Sequence, residues 1–370
     1  MRIAMISLLF LVFLGIGVDP LLANFDLEGF PEPYRRQLTE VLDQAGGNRD
    51  QLVKTLTVAN SQGYLEAGCF LISQMKENDL DALQADSHTL LEHIEYAYKA
   101  KESVPYSLPE GLFFDYVLNF KIFSEPVTAW RRQLFETFYP LIKDVNSLKE
   151  AALVINRWMA ENIKLLGSQM VAAPVLHILK AGIADKEQLS TLTVAVLRSV
   201  AIPSRVAYTN YGVQQEGREF WVEVYIQDRW IPLYPDDPEN FGDFSKVARE
   251  HHHNLAKVFA RPCFLKIDRT SEYAELGEIL VRISGVDQPV SVAVHIFNSG
   301  FWLPAVEKQA DSQDLIQFKM GKGKYLLTVG AENQKALLQK ITVNQSETIQ
   351  CYFNFATNKS EMIEKRRGEK

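Results

Sequence analysis

The chain has 370 residues, 47% hydrophobic and 23% charged, a composition typical of globular rather than disordered proteins. This length exceeds one ordinary hydrophobic core and predicts two or three domains. The formal net charge of −7 argues against a nucleic-acid-binding function, because such proteins need a basic face for the phosphates.

Residues 1–23 have the features of a secretory signal peptide. Arg2 supplies the positive charge, residues 5–18 are apolar, and Leu21-Leu22-Ala23 offers a cleavage site. The apolar run is short and is interrupted by Asp19-Pro20, which disfavours a permanent membrane span. The sequence therefore predicts a secreted or periplasmic protein with no stable span after cleavage, and an uncleaved anchor is the alternative.

Residues 24–125 are predicted to form a helical N-terminal domain. The first helix follows Pro31-Glu32-Pro33 and ends at Gly46-Gly47, as expected from the preferences of proline and glycine at helix ends. Apolar residues at helical spacing predict three more helices, over residues 50–59, 64–74 and 80–100.

Residues 126–252 change from helical to strand patterns along the chain. Helices are predicted over residues 127–142, 148–166 and 187–199, the second opened by a Ser147/Glu150 capping box. Strands are predicted over residues 204–209, 219–227 and 229–233. Helices followed by an antiparallel sheet indicate an α+β fold.

Residues 255–356 consist of short runs in which apolar and polar residues alternate, and this pattern predicts a β-sandwich. Residues 357–370 are predicted to be a disordered tail. Two of the three cysteines, Cys263 and Cys351, lie in strand-like runs of this part, and Cys69 is left over. A disulfide between these two and a pair of buried thiols are both compatible with the sequence.

Three sequence blocks occur in order in the middle segment. The helix before Pro203 ends in Leu197-Arg198-Ser199-Val200-Ala201-Ile202-Pro203-Ser204-Arg205, the next strand contains Glu219-Phe220-Trp221-Val222-Glu223-Val224, and the third block is Trp230-Ile231-Pro232-Leu233-Tyr234-Pro235. Together they resemble the transglutaminase-like (papain-like thiol) superfamily, whose corresponding blocks are L-R-x-x-G-I-P-A-R, H-x-W-V-E-V and W-x-x-x-D-P.

This resemblance implies a fold and a domain order. The core would consist of helices packed on an antiparallel sheet, as in exported bacterial members, where a helical region precedes the core and an Ig-like β-sandwich follows it. A likeness of fold does not by itself determine function.

The resemblance also implies the positions of a Cys-His-Asp triad, and all three are changed in this chain. The nucleophile position falls on Lys186, the histidine position on Glu219 and the aspartate position on Tyr234. No cysteine lies between Cys69 and Cys263, so a shift of the alignment does not restore one. Acyl transfer by this mechanism requires a thiolate activated by an imidazole, and this site lacks both groups.

Two interpretations of these positions remain open. In the first, Lys186, Glu219 and Tyr234 form a buried ion pair with a phenol hydrogen bond that fills the former cleft. In the second, Ser190, one helical turn after Lys186, forms a Ser-Lys dyad, which would require a neutral lysine. Trp221 and Trp230 are candidates for cleft walls as well as for core packing.

The sequence predicts no cofactor and no metal site. Consecutive histidines such as His251-His252-His253 point in different directions on a helix, so they are interpreted as an exposed polar stretch. The leading hypothesis is an exported, non-catalytic transglutaminase-like protein, a pseudoenzyme, that binds a protein, peptide or glycan at the cell envelope. The alternatives are a hydrolase or acyltransferase that uses the Ser190/Lys186 dyad, and a purely structural envelope protein.

Overall fold

The structure, a computed structural model, describes residues 27–80, 85–109, 111–167, 169–209, 218–251, 255–262, 265–298, 300–311 and 314–367. The predicted signal peptide, Cys263, His252 and His253 lie outside these residues. Across the part of the chain that is described, no helix combines the length and the apolar character that crossing a membrane requires.

Contacts divide the chain into two compact units between Ser87 and His88. The first unit contains the helices α1 (Glu32–Gln44), α2 (Arg49–Ser61), α3 (Leu65–Ser73) and α4 (Glu77–Leu80). Gly68 lets α3 approach α2, because a Cβ at this position would lie 3.1 Å from the Ala59 Cβ. The Asn48 side chain donates hydrogen bonds to the carbonyls of Leu80 and Ala85 and joins the α1–α2 connection to the C-terminal end of this unit.

The second unit begins with the long helix α5 (Ser87–Ser103), whereas the sequence predicts the end of the helical domain near residue 125. A π-helical turn (Phe114–Leu118) and the helices α6 (Arg131–Ile142) and α7 (Leu148–Asn162) follow. The predicted cap of α7 is present, because the Ser147 hydroxyl accepts a hydrogen bond from the Glu150 amide at 3.1 Å. The helix ends before residue 166, where its prediction ended, because Lys164–Leu165 form a short strand, β1.

The helix α9 (Lys186–Ser199) is the central element of the core. It follows α8 (Val175–Ala181) and a two-residue strand, β2 (Ile183–Ala184), that pairs in parallel with β1. Every residue of α9 from Gln188 to Ser199 is buried. A helix that is buried on all sides lies inside the domain. Its N-terminal residue Lys186 reaches the surface, at 30% side-chain exposure.

A five-stranded antiparallel sheet packs against α9. Its strand order is β5-β4-β3-β6-β7, and the strands are β3 (Ser204–Thr209), β4 (Glu219–Ile226), β5 (Arg229–Leu233), β6 (Val258–Arg261) and β7 (Ile267–Asp268). Gln227 and Asp228 both adopt positive φ, 51° and 61°, as a two-residue hairpin turn requires. Two short helices, α10 (Ser245–Glu250) and α11 (Thr270–Tyr273), lie between the later strands in the chain. The predicted combination of helices with an antiparallel sheet is confirmed.

The C-terminal part consists of two four-stranded sheets around one core. One has the order β10-β9-β12-β13 and the other β11-β8-β14-β15. The strands are β8 (Leu276–Ser284), β9 (Val290–Asn298), β10 (Phe301–Ala310), β11 (Ile316–Gly321), β12 (Gly323–Ala331), β13 (Leu337–Val343), β14 (Glu347–Asn354) and β15 (Lys359–Arg367). Their inward residues form a single hydrophobic cluster that includes Val294, Tyr325 and Phe353.

The prediction of a disordered tail from residue 357 is wrong for residues 359–367. These residues form β15, which pairs antiparallel with β14. Without β15, the edge of β14 would expose a row of unpaired backbone groups. The charged character of Lys359–Arg367 suggested disorder, yet charged residues are common on edge strands, because they discourage pairing with other chains.

The connection between the core and the C-terminal sheets depends on a glycine. The Gly321 amide donates a hydrogen bond to the Ala256 carbonyl at 3.1 Å. A Cβ at Gly321 would lie 1.7 Å from the Leu255 carbonyl oxygen, a distance that no side chain tolerates. The close approach of these two segments therefore requires glycine at position 321.

Candidate functional site

The N-terminus of α9 is the position that the sequence assigns to a nucleophile. Asp185 caps the helix by accepting a hydrogen bond from the Gln188 amide at 2.8 Å, and its other oxygen accepts one from the Met170 amide at 2.6 Å. Lys186 is the first residue of the helix. The positive end of a helix stabilises a thiolate but disfavours an ammonium group, so a lysine here needs negative charge nearby.

Glu219 supplies that charge. The Lys186 ammonium donates a hydrogen bond to Glu219 Oε1, and Asp236 Oδ2 lies 3.7 Å from the same nitrogen. The three side chains are 30%, 18% and 24% exposed respectively, so water reaches the group. The predicted ion pair is therefore present, but it is not the fully buried plug that the sequence suggested.

The carboxylates around Lys186 keep it charged. Burial alone lowers the pKa of Lys186, but the charges of Glu219, Asp236 and Glu250 outweigh burial and raise this pKa above its ordinary value. Burial also raises the pKa of the Glu219 carboxyl, and the Lys186 ammonium opposes that effect. At neutral pH the lysine is thus an ammonium ion, which is not a nucleophile.

Tyr234 does not take part in this ion pair as the sequence analysis proposed. Its hydroxyl donates a hydrogen bond to the Asp243 carbonyl at 2.8 Å, and Lys246 Nζ lies 4.7 Å from the centre of its ring. Burial raises the pKa of Tyr234, so the phenol stays protonated. The residue that approaches Lys186 from this segment is Asp236, two positions further along the chain, where the turn after β5 directs its side chain back toward α9.

Ser190 lacks the solvent exposure that a nucleophile needs. It is 1% exposed and lies on the buried part of α9. The structure gives no hydrogen bond between its hydroxyl and Lys186, although both residues are among those described. A Ser-Lys dyad also needs a neutral amine, and the raised pKa of Lys186 opposes that state.

The two tryptophans proposed as cleft walls have different environments. Trp221 is 0% exposed, and its indole nitrogen donates a hydrogen bond to the Tyr273 hydroxyl at 3.1 Å, so its prediction as a cleft wall is wrong. Its alternation within β4 places it on the face that packs against the core cluster. Trp230 is half-buried, with the Arg205 guanidinium 3.9 Å from its ring centre and the Tyr116 ring at 4.5 Å.

A second group of charged residues, which the sequence analysis did not single out, lies inside the core. Arg205 Nε donates to Glu223 Oε2 at 2.7 Å, and the other carboxylate oxygen accepts from the Tyr273 hydroxyl at 2.8 Å and from Arg269 Nε at 3.3 Å. The Glu223 side chain is 0% exposed and that of Arg205 is 3% exposed. Arg205 and Glu223 are opposite each other in the β3–β4 register. Arg205 is the one charged residue of β3, and Glu223 lies between Val222 and Val224 in the middle of β4. A charged residue among apolar strand neighbours was the sequence signal that could have indicated this buried pair.

Two further arginines are fully buried and bind backbone oxygens. Arg198 donates to the carbonyls of Asn119, Ser204 and Pro262 at 2.8, 3.0 and 2.7 Å. Arg131 donates to the Arg198 carbonyl at 3.0 Å, and burial together with the nearby Arg198 charge lowers the pKa of Arg131 to about 9. These arginines join helix and sheet segments and have a structural role.

The described residues contain no cluster of His, Cys, Asp and Glu side chains that could hold a metal ion. His251 is buried, so the interpretation of this histidine as part of an exposed stretch is wrong; it lies at the end of α10, whose inner face packs into the core. Cys69 and Cys351 are free, buried thiols, and burial raises their pKa values to about 12 and about 11. Cys263 lies outside the described residues.

The backbone before β3 fits the alignment with the resembled family. Ala201 occupies the glycine position of the first block and adopts φ 58°, in the left-handed region that favours glycine. The Ile202 amide donates to the Leu197 carbonyl at 2.8 Å and closes the end of α9. The chain therefore has the backbone turn that the family pattern implies, although it lacks the glycine.

Comparisons with known proteins give one family match and several similar solved structures. Residues 139–235 match the transglutaminase-like superfamily. Among solved structures, a candidate cysteine protease from Cytophaga hutchinsonii is 12% identical, with 58% of this chain and 52% of that chain covered and a TM-score of 0.28. Red sea bream transglutaminase is 7% identical, with 60% of each chain covered and a TM-score of 0.29.

A candidate protease from Parabacteroides distasonis is 10% identical, with 54% of this chain and 36% of that chain covered and a TM-score of 0.31. The chain thus spans about half, or less, of the length of the two bacterial structures. No curated protein matches the chain. The likeness to the transglutaminase-like superfamily is thus carried by the segment of residues 139–235.

Proposed function

We propose that this protein is an exported, non-catalytic member of the superfamily, a pseudoenzyme that binds a protein, peptide or glycan at the cell envelope. The observation that carries the proposal is the pairing of Lys186 with Glu219 at the N-terminus of α9, where the family's catalytic residues would meet. In this interpretation Lys186, Glu219 and Tyr234 occupy the nucleophile, histidine and aspartate positions.

The chemistry of these side chains supports a loss of thiol-dependent acyl transfer. An ammonium group with a raised pKa has no lone pair to attack a carbonyl carbon. Glu219 accepts a hydrogen bond from Lys186, so it does not act as an imidazole would, which takes a proton from a thiol and returns it to the leaving group. The Tyr234 hydroxyl is occupied by the Asp243 carbonyl.

The proposal of a binding function, rather than a purely structural one, is supported by the exposure of the site. The side chains of Lys186, Glu219 and Asp236 keep between 18% and 30% of their surface in contact with water. A filled cleft would bury these charges more completely. Export is supported by the pattern of residues 1–23, with location in the periplasm or outside the cell as the expected result.

We extend the proposal to the domain layout. The single core shared by the two C-terminal sheets supports an Ig-like β-sandwich over residues 255–356, extended by β15. The helices α1 to α4 support a helical N-terminal domain, for which limited proteolysis would test whether the boundary lies near residue 88 or residue 125.

An activity assay tests the absence of catalysis. The purified full chain is incubated with a glutamine-containing protein and a fluorescent amine, and separately with a fluorescent casein, beside an active transglutaminase and an active thiol protease. We expect no product above the buffer control. Product that is lost in Lys186→Ala or Glu219→Ala would contradict the proposal, whereas product that persists in both variants would indicate a contaminating enzyme.

A probe experiment separates the Ser-Lys alternative. A fluorophosphonate reagent labels activated serines, and we expect none on the native chain because Ser190 is buried. Labelling that disappears in Ser190→Ala, but remains in the matched variant Ser199→Ala on the same helix, would establish the dyad and refute the non-catalytic assignment.

A further inference from the structure

A cavity of about 410 Å³ lies against the outer surface of the C-terminal sheet β10-β9-β12-β13 and is also lined by Met362 of β15, which belongs to the other sheet. Trp302, Lys324, Lys340, Thr342 and Met362 line it, and we call this set the Trp302 shelf. The backbone around Tyr325 and Ile341, whose side chains are buried in the core, completes the lining.

The strand register explains why these side chains share one surface. Lys324 is opposite Thr342, and Lys340 is opposite Leu326 on the same pair of strands. The neighbouring Tyr325 and Ile341 point inward, and side chains alternate along a strand, so Lys324, Lys340 and Thr342 point outward. The two lysines are diagonal neighbours, whose Cα atoms lie about 7–8 Å apart on adjacent strands.

The shelf differs in charge from the rest of the protein. The net charge of the chain is −7, yet the described residues that line the shelf include two lysines and no acidic residue. Two neighbouring ammonium groups repel each other, and an anion between them would relieve that repulsion. The flexible stems of both lysines allow their ammonium groups to converge on one carboxylate.

Aromatic side chains continue the shelf on the β9–β10 hairpin. Trp302 is paired with Phe297 in the register, and their ring centres are 5.4 Å apart. Phe297 is 49% exposed and Phe301 is 69% exposed, so this end of the sheet presents apolar rings to water. Exposed aromatic groups beside a concave surface are typical of a ligand site.

We propose that the Trp302 shelf binds an acidic glycan, a chain of sugars that carry carboxylate groups. The indole ring of Trp302 covers the apolar face of a sugar ring, Lys324 and Lys340 pair with its carboxylate, and the Thr342 hydroxyl hydrogen-bonds to a sugar hydroxyl. An acidic peptide would satisfy the lysines but has no flat apolar face for the indole, and nucleic acid needs a more extensive basic surface than two lysines provide.

This inference refines the binding role proposed above, and it rests on that role only in assuming that the chain has a ligand. The site is separate from Lys186 in the core. Failure of the glycan experiment would leave the assays of catalysis unaffected, and a positive activity assay would leave the glycan experiment unaffected, so the two proposals can fail independently.

Calorimetric titration of the full chain at low ionic strength tests the proposal. The probe is an oligomer of galacturonic acid, and its methyl-esterified form is the uncharged control with the same sugar rings. We compare the native protein with the double variant Lys324→Gln/Lys340→Gln, with Trp302→Leu, and with Lys335→Gln, an exposed lysine in the turn between β12 and β13 that does not line the cavity. Circular dichroism checks that each variant is folded.

We expect the acid oligomer to bind more tightly than its ester and to lose affinity as salt is added. The double lysine variant should weaken binding by about 5-fold or more, at the scale of two exposed charge contacts. Trp302→Leu should weaken the binding of both oligomers, and Lys335→Gln should bind as the native protein does.

Three results would overturn the proposal. One is the absence of binding by the native, folded chain. The second is equal affinity for the acid oligomer and its ester, or an equal loss of affinity in Lys335→Gln and in the double lysine variant. The third is binding of poly-glutamate with the same affinity and with no effect of Trp302→Leu, which would assign the shelf to an acidic protein partner instead.

Discussion

The substitution Glu223→Gln tests whether the buried charge group organises the core sheet. Gln has nearly the shape of Glu and keeps one oxygen that can accept from Tyr273 and Arg269. It places an amide NH₂ or a weaker acceptor where Oε2 now lies 2.6 Å from Arg205 Nη2 and 2.7 Å from Nε. Arg205, at 3% exposure, would keep its charge without the carboxylate that balances it.

The expected cost follows from this burial. Removal of one partner from a buried ion pair costs about 3–5 kcal/mol, because the remaining charge has neither water nor a counter-ion. The total free energy of unfolding of a protein of ordinary stability is about 5–15 kcal/mol. The free energy of unfolding falls by about 1–3 kcal/mol for each M of urea, so the urea concentration at the unfolding midpoint should fall by about 1 M or more.

Tryptophan fluorescence during urea unfolding at pH 7 measures this change. All five tryptophans of the chain lie after residue 88, so their emission reports the second unit alone. The matched control is Glu136→Gln, the same substitution in the Arg132–Glu136 pair, whose side chains are 60% and 52% exposed. This control should leave the midpoint almost unchanged, because water already screens the pair.

A midpoint for Glu223→Gln that equals the midpoint of Glu136→Gln would refute the reasoning. It would mean that Arg205 finds another partner or that water enters the core. The double variant Arg205→Met/Glu223→Met distinguishes the charge from the packing: if charge is the cause, removing both partners should cost less than removing Glu223 alone.

Three further predictions concern other parts of the chain. Gly321→Ala should destabilise the protein by about 1–3 kcal/mol or more in the same urea experiment, because the added Cβ meets a backbone oxygen, whereas Gly330→Ala, with open space around its Cβ position, should be tolerated. Cys69 and Cys351 should resist iodoacetamide at pH 8 and react only after denaturation, as mapped by mass spectrometry, because burial raises their pKa values to about 12 and about 11. The pKa of Asp243 is lowered to about 2 by hydrogen bonds from Arg249 and Ser245, so its ionised form stabilises the fold above about pH 4. Asp243→Asn should therefore be less stable than the native protein above that pH, and the difference should shrink as the pH falls and be lost below about pH 2. Thermal unfolding at several pH values would measure this dependence.

Several elements were predictable because local patterns determine them. The strands Ser204–Thr209 and Arg229–Leu233 agree with their predicted bounds, since Pro203 directly precedes the first and the Gln227-Asp228 hairpin turn precedes the second. The α7 cap at Ser147 follows from a four-residue motif. In such cases the relevant contacts lie within a few residues of one another.

The candidate site was predictable only in part. The order and spacing of the three sequence blocks predicted that Lys186 and Glu219 occupy the nucleophile and histidine positions of the resembled family. The structure brings the charged groups of these two residues together. The sequence could not show that Asp236 rather than Tyr234 faces the lysine, because the direction of a side chain after β5 depends on the turn at residues 234–237. It could not show the burial of Trp221 or Ser190 either, because this depends on which faces of α9 and β4 meet other elements.

Residues 359–367 illustrate the same limit. Their charge and position suggested disorder, and they fold as a strand because β14 offers an edge to pair with. The sequence alone predicted the likeness to the transglutaminase-like superfamily that residues 139–235 carry, and the order of helices and strands in the core. The assignment of Lys186 and Glu219 to the nucleophile and histidine positions also came from the sequence and stays a prediction. Only the tertiary structure decided how Arg205, Glu223, Arg269 and Tyr273 combine, and how the lysines and Trp302 share one surface. These groups come from separate strands and helices, and their interaction depends on strand register and packing, which arise from long-range contacts.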